Sequence, residues 1–200
     1  MIAGLVLAGG QSQRMGTDKS YLRLPTSQLS MLEHSKEMLS HLCEPVLVSG
    51  AQHADGILDI HPKLGPMSGI HAAVKHISLY TPSVTGLLIL PIDMPNISLI
   101  ELKQLLHQGL EAKRVTSFES YNFPLYLPID TSLMNYLDGV FTTVDTPQEP
   151  AVKHKRYALK NLINDLQGIV IKPSHCQPFE NINTPQQWRQ HCHVSSENHK

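Results

Sequence analysis

The stretch Leu5-Val6-Leu7-Ala8-Gly9-Gly10-Gln11-Ser12-Gln13-Arg14-Met15-Gly16-Thr17-Asp18-Lys19-Ser20 constrains the fold more than any other part of the chain. A short apolar run, predicted as a buried strand from Gly4 to Leu7, empties into a loop with glycines at 9, 10 and 16. Paired glycines let a backbone turn sharply and bring successive N–H groups close to a ligand. Amide nests of this kind at the carboxyl end of a strand bind anions. Arg14 and Lys19 add two fixed cations, a combination suited to a nucleotide's phosphates. Neither of the two common phosphate loops fits. Thr17 and Asp18 separate Gly16 from Lys19, which a Walker loop does not allow, and Gly9-Gly10 followed by Gly16 is not G-x-G-x-x-G.

Downstream, apolar runs and helical periods alternate. Met31–Leu42 reads as a helix capped by Ser30, Pro45–Val48 as a second strand, and Ile57–Ile60 as a third with Asp59 near its end. Gly65-Pro66-Met67-Ser68-Gly69 is predicted as a turn feeding a helix with Ile70, Ala73, Val74 and Ile77 on one face. Gly86–Asp93 is the most apolar strand. Its unbroken run predicts a central parallel position covered on both faces, with regular pairing stopping at Pro91. Ser98 and Glu101 form a capping box for the next helix.

The second half predicts short strands at 115–118, 124–127 and 168–171, and helices around Leu133–Leu137 and Arg156–Leu166. A final helix opens at Thr184-Pro185, and Phe141–Lys155 is predicted as a mobile loop. Alternating strands and crossover helices imply a parallel sheet. With no repeat or linker, the expected organisation is one domain over 1–190 and a polar tail over 191–200, its histidines solvated.

A net charge of −1 provides no global field for nucleic acid or an anionic membrane, so neither is an expected partner. No apolar run approaches a membrane span, and Met1-Ile2-Ala3 leads into a strand without a signal-peptide n-region. Cys43, Cys176 and Cys192 form no C-x-x-C pair, so reduced thiols and a cytoplasmic location are expected.

Asp93 ends the greasy strand within Ile92-Asp93-Met94-Pro95. Carboxylates at the carboxyl ends of parallel strands face the crevice where α/β sheets bind ligands. One there suits Mg²⁺, which is held by one or two carboxylates plus substrate phosphates. A turn-capping role for Asp93 is the alternative.

The opening stretch resembles the signature L-A-G-G-x-S-x-R-M-G-x-D-K of the molybdenum cofactor guanylyltransferase family, with every specified position filled by residues 7–19. The resemblance is good again at 65–69, 92–95 and 181–185. It implies an α/β nucleotidyltransferase, a three-layer α/β/α fold with a mostly parallel Rossmann-like sheet of the nucleotide-diphospho-sugar transferase type. It further implies transfer of GMP from GTP to the terminal phosphate of molybdenum-molybdopterin, with release of pyrophosphate.

Mapped residue by residue, the resemblance assigns nucleotide contact to Leu7, Ala8, Gly9, Gly10 and Lys19, and magnesium to Asp93. Catalytic roles are expected for Lys19, Arg14 and Asp93, with Asp18 orienting the loop or balancing charge. Base and ribose are expected against Ser49, Asp59 and the turn from Gly65. Asn181 and Asn183, in the N-x-N-T-P step, are expected either to meet the transferred phosphate or second substrate, or to be turn formers. Ser49 stands where relatives often have asparagine, and Phe123 where they have a polar or basic residue.

GTP and molybdenum-molybdopterin are the implied substrates, with room for proteins that deliver or receive the molybdenum cofactor. Two alternatives stand beside this reading: a cytidylyltransferase of the same cofactor, and a nucleotide-binding paralogue that has lost catalysis.

Overall fold

The computed structural model describes residues 1–8, 18–50, 52–62, 64–142, 157–174 and 179–197, the last four as helix backbone only. Gly9, Gly10 and Arg14 lie outside them, as does the expected loop beyond Thr142. Phe141, where that loop was expected to begin, is instead buried near the end of a helix.

Seven strands make one sheet: β1 (Ile2–Leu7), β2 (Val46–Ser49), β3 (Gly56–Ile57), β4 (Gly86–Pro91), β5 (Thr116–Phe118), β6 (Leu125–Pro128) and β7 (Ile169–Ile171). Their order is β3-β2-β1-β4-β6-β5-β7. All pairings are parallel except those of β6, which runs antiparallel between β4 and β5. The expected mostly parallel sheet is therefore observed. β4 is central and buried along nearly all its length, with a parallel neighbour on one side and an antiparallel one on the other. Pro91 ends it, as predicted, because proline has no N–H to donate; the Ile92 N–H then donates to the Leu7 carbonyl at 3.2 Å.

Side chains alternate across the strands and so feed two cores. Leu5, Leu7, Leu87, Ile89, Leu125 and Leu127 face α2 (Pro66–Tyr80), α4 (Thr131–Thr142) and α5 (Leu159–Asp165). Val6, Leu88, Leu90, Phe118 and Tyr126 face α1 (Met31–Ser40) and α3 (Leu99–Ala112) on the other side. Phe179 and Ile182 are buried in that second core, with Trp188 of α6 (Pro185–Glu197) packed against it. The result is three layers.

Local chemistry sets the helix starts. Ser30 and Ser98 each accept from the backbone N–H three residues on, while Glu33 and Glu101 reach back to the cap's own N–H. Both capping boxes satisfy two otherwise orphaned donors. Two expectations need correction. The third strand is shorter than Ile57–Ile60: it ends at Ile57, leaving Leu58 68% and Ile60 50% exposed. The last helix runs to Glu197, so residues expected in a polar tail from 191 are helical through 197, and His191 stacks on Trp188 at 5.8 Å.

Candidate active site

The site is built at the carboxyl ends of β1, β2 and β4. Leu7 ends β1, and the buried Ala8 that follows is tied to the end of β2 through both its backbone groups. Its N–H donates to the Ser49 carbonyl (3.2 Å), and its carbonyl accepts from the Gln52 side-chain amide (3.0 Å). The chain re-enters at Asp18, whose carboxylate accepts from the Ser20 N–H (3.0 Å) and hydroxyl (2.7 Å) and so caps a single 3-10 turn, Lys19–Tyr21.

Lys19 is buried and points at two elements far away in sequence. Its ammonium donates to Asn183 Oδ1 at 2.6 Å and lies 3.8 Å from Asp93 Oδ2. Asp93 lies just past β4, its side chain 20% exposed. Burial pushes its carboxyl above the usual carboxylate range, and the Lys19 charge partly opposes this. Its Oδ1 is buried without a protein partner among the described residues. A buried carboxylate oxygen left bare is costly unless something binds there.

The C-terminal segment completes this corner. The Ile182 N–H donates to the Asp93 carbonyl at 2.8 Å, and buried Ile182 alternates with Asn181, which is exposed, and Asn183, which meets Lys19. Sequence spacing therefore places the two asparagines opposite Ile182, but only Asn183 is drawn onto the lysine.

The far side of the crevice holds Ser49, Asp59 and the start of α2. The buried Ser49 hydroxyl donates to Asp59 Oδ1 at 3.4 Å, a long bond. Burial raises the Asp59 carboxyl, and that hydrogen bond opposes the rise. The expected Gly65–Gly69 turn is largely the first turn of α2: Gly65 is its N-cap at φ 75°, a left-handed conformation that favours glycine, and Pro66 is the first helical residue. Gly69 is required for space instead. A Cβ there would lie 2.3 Å from Ser49 Oγ, 3.1 Å from Ser49 Cβ and 3.3 Å from Leu7 Cδ2.

The contact with Ser49 makes a prediction. Gly69→Ala is expected to lower unfolding free energy by about 1–3 kcal/mol through overpacking. In a Ser49→Ala background the loss should shrink, because the 2.3 Å clash is with the hydroxyl. Urea denaturation of the four proteins in the cycle measures the difference.

Sequence reasoning missed three features. Gln52 on Ala8 carried no readable signal. The Ile182–Asp93 backbone bond joins segments no spacing rule connects. The third is a polar tie from α2 to α4: Lys75 Nζ lies 2.7 Å from Asp138 Oδ1, and buried His71 Nε2 3.1 Å from the same oxygen. Lys75 and His71 together hold the Asp138 carboxyl below its usual range. His71 and Lys75, one turn apart on the same helix, were its visible trace.

The sheet order, with a carboxylate past β4 and an ammonium returned to it, makes a polar crevice at the carboxyl ends of the parallel strands, where open α/β sheets bind ligands. The family model for the MobA-like NTP transferase domain matches residues 4–158. The molybdenum cofactor guanylyltransferase of Xanthomonas euvesicatoria pv. vesicatoria is 31% identical over 194 residues, covering 95% of this chain and 94% of that protein. Among solved structures, molybdopterin-guanine dinucleotide biosynthesis protein A from Archaeoglobus fulgidus superposes with a TM-score of 0.62 at 20% identity, over 98% of this chain and 99% of that one. The 2-C-methyl-D-erythritol 4-phosphate cytidylyltransferase of Thermus thermophilus shares the fold, with TM-score 0.62 at 10% identity over 98% and 100% of the two chains. The chain belongs to the MobA-like NTP transferase family.

Proposed function

We propose that the chain transfers GMP from GTP to the terminal phosphate of molybdenum-molybdopterin, forming molybdopterin guanine dinucleotide and releasing pyrophosphate. The observation that carries this reading, beside the family, is the Asp93 carboxylate, with Oδ1 buried and bare and Oδ2 3.8 Å from the Lys19 ammonium. One carboxylate with an open side fits Mg²⁺, which keeps waters and takes substrate phosphates for its remaining positions. No cluster of three or more His, Cys, Asp or Glu fit to hold a metal occurs among the described residues, so Asp93 would hold the ion together with the nucleotide. Bound there, Mg²⁺ would neutralise charge on the phosphate oxygens.

The remaining roles belong to the chain. Leu7 and Ala8, their backbone tied into the sheet, form the floor under the triphosphate, Gly9 and Gly10 are the residues for its backbone contacts, and Arg14 and Lys19 hold its oxygens. A pterin phosphate oxygen attacks the α-phosphorus in line. The new P–O bond forms as the bond to the β-phosphate bridge oxygen breaks, and the electron pair leaves with pyrophosphate. Lys19 meets the charge that builds on the leaving group, where fixed electrostatics contribute most. The nucleophile is already ionised near neutral pH, so no general base is needed. Ser49, Asp59 and the α2 start at Gly65 take base and ribose, and the Asp59 carboxylate can accept from guanine N1–H and N2–H₂. Asn181, exposed beside the crevice, faces the second substrate. The free thiol of Cys43 fits a reducing, cytoplasmic setting, and no helix among the described residues is long and apolar enough to cross a membrane.

Thermal shifts with GTP, CTP, ATP and UTP, each with Mg²⁺, test the nucleotide. A ligand at a hundred times its Kd stabilises by about 2.7 kcal/mol, a rise of roughly 5–10 °C for a chain of this size. GTP should give the largest shift, and pyrophosphate release should require GTP and the molybdenum-loaded pterin together. A larger shift with CTP would move the chain to the cytidylyl reaction; binding without release would leave a nucleotide-binding paralogue.

A further inference from the structure

We propose that Asn183 is a positioning residue that holds Lys19 for the leaving pyrophosphate, rather than a contact for the second substrate. The proposal rests on the guanylyl-transfer reading above and assigns this side chain a specific part in it. Lysine offers only donors, so the group 2.6 Å from its ammonium is the Asn183 carbonyl oxygen, an uncharged acceptor. The Asp93 carboxylate, the opposite charge nearby, stays at 3.8 Å, beyond a normal hydrogen bond. The amide thus aims the ammonium without bringing a further negative charge to it, and Asp93 Oδ1 keeps its open side.

Asn183 can do this because its own place is fixed on both sides. Before it, buried Ile182 is tied through its N–H to the Asp93 carbonyl at 2.8 Å. After it, the Asn183 N–H donates to the Gln187 side chain (2.8 Å), and the Gln187 N–H donates to the Thr184 hydroxyl (3.2 Å) at the start of α6. The C-terminal segment thereby holds both charges of the site: Asp93 through its backbone and Lys19 through an amide.

A carboxylate in the same position would be a worse holder than no side chain at all, because it would cancel the lysine's charge. This ordering separates positioning from a merely structural part. The probe is inorganic pyrophosphate with Mg²⁺, titrated calorimetrically into wild type, Asn183→Ala, Asn183→Asp, Lys19→Met and the Lys19→Met/Asn183→Ala double variant, with unfolding curves run alongside. Asn183→Ala should bind pyrophosphate about tenfold more weakly, and the isosteric Asn183→Asp about thirtyfold more weakly. The double variant should bind no more weakly than Lys19→Met alone, since the amide acts through the lysine.

Equal binding in all single variants, a milder loss in Asn183→Asp than in Asn183→Ala, or losses that add in full to Lys19→Met would overturn the proposal. So would a change confined to KM for the pterin. If Asn183→Ala does not fold, the volume-conserving Asn183→Asp still decides. Failure of GMP transfer in wild type with this binding order intact would remove the functional reading and leave the positioning role standing.

Discussion

Asp93→Asn is expected to lower kcat for pyrophosphate release by about 10²–10³-fold at ordinary Mg²⁺, the scale of losing one preorganised electrostatic group. The replacement keeps the side chain's volume and removes its charge. That charge is the anchor a divalent cation would use, and the bare Oδ1 marks the side on which it would sit. The same change should not weaken the fold. Burial raises the Asp93 carboxyl in the folded chain, and Lys19 only partly opposes this. A carboxyl raised on folding contributes stability that is present below its unfolded value and lost as pH rises through the folded one. Measured without nucleotide or metal, Asp93→Asn should therefore melt no lower than wild type at neutral pH, with any advantage fading as pH falls. Loss of turnover with an unchanged or higher Tm is the expected pair of results. Retained turnover would take Asp93 out of the mechanism.

The pieces of this site that were legible in sequence are those whose chemistry is local. Ser98 with Glu101, Pro91 at the strand end and Asp93 just beyond it are each set by neighbours within a few residues. Gly65 and the start of α2 were visible for the same reason, although the glycine-framed turn proved to be helix almost from its first residue. Where patterning failed, apolar character was not followed by burial: Leu58 and Ile60 look like strand residues but stand exposed past a two-residue edge strand. In the final helix polarity misled in the other direction, since a helix can be polar on most sides once Trp188 packs against the core. The pairings that assemble the site were out of reach, because Lys19 and Asn183 meet across 164 residues and Ile182 meets Asp93 through backbone atoms. Composition and spacing carry no information about either contact. The motifs name the participants, and the order of the strands brings them together.

Lys19→Met should reduce kcat by about 10²-fold and, in addition, shift the acid limb of the pH profile of kcat/KM to higher pH. The two effects have separate causes. The rate loss follows from removing the cation that meets charge on the departing pyrophosphate. The shift follows from Asp93: burial raises its carboxyl and the neighbouring ammonium is the larger of the two influences that lower it, the other being its own backbone N–H, so deleting the ammonium lets the carboxyl rise further. Asp93 must be ionised to hold a cation, and the variant would need a higher pH to reach that state. Lys19→Arg separates the contributions. It retains the positive charge, so the acid limb should stay close to that of wild type. Its planar fork cannot put a single point charge where the ammonium now sits against the Asn183 amide, so kcat should still fall. An acid limb that does not move in Lys19→Met would mean that the 3.8 Å approach of the two charges has no bearing on the ionisation that catalysis requires, and the limb would then belong to a different carboxyl, with Asp59, also raised by burial, the first to test.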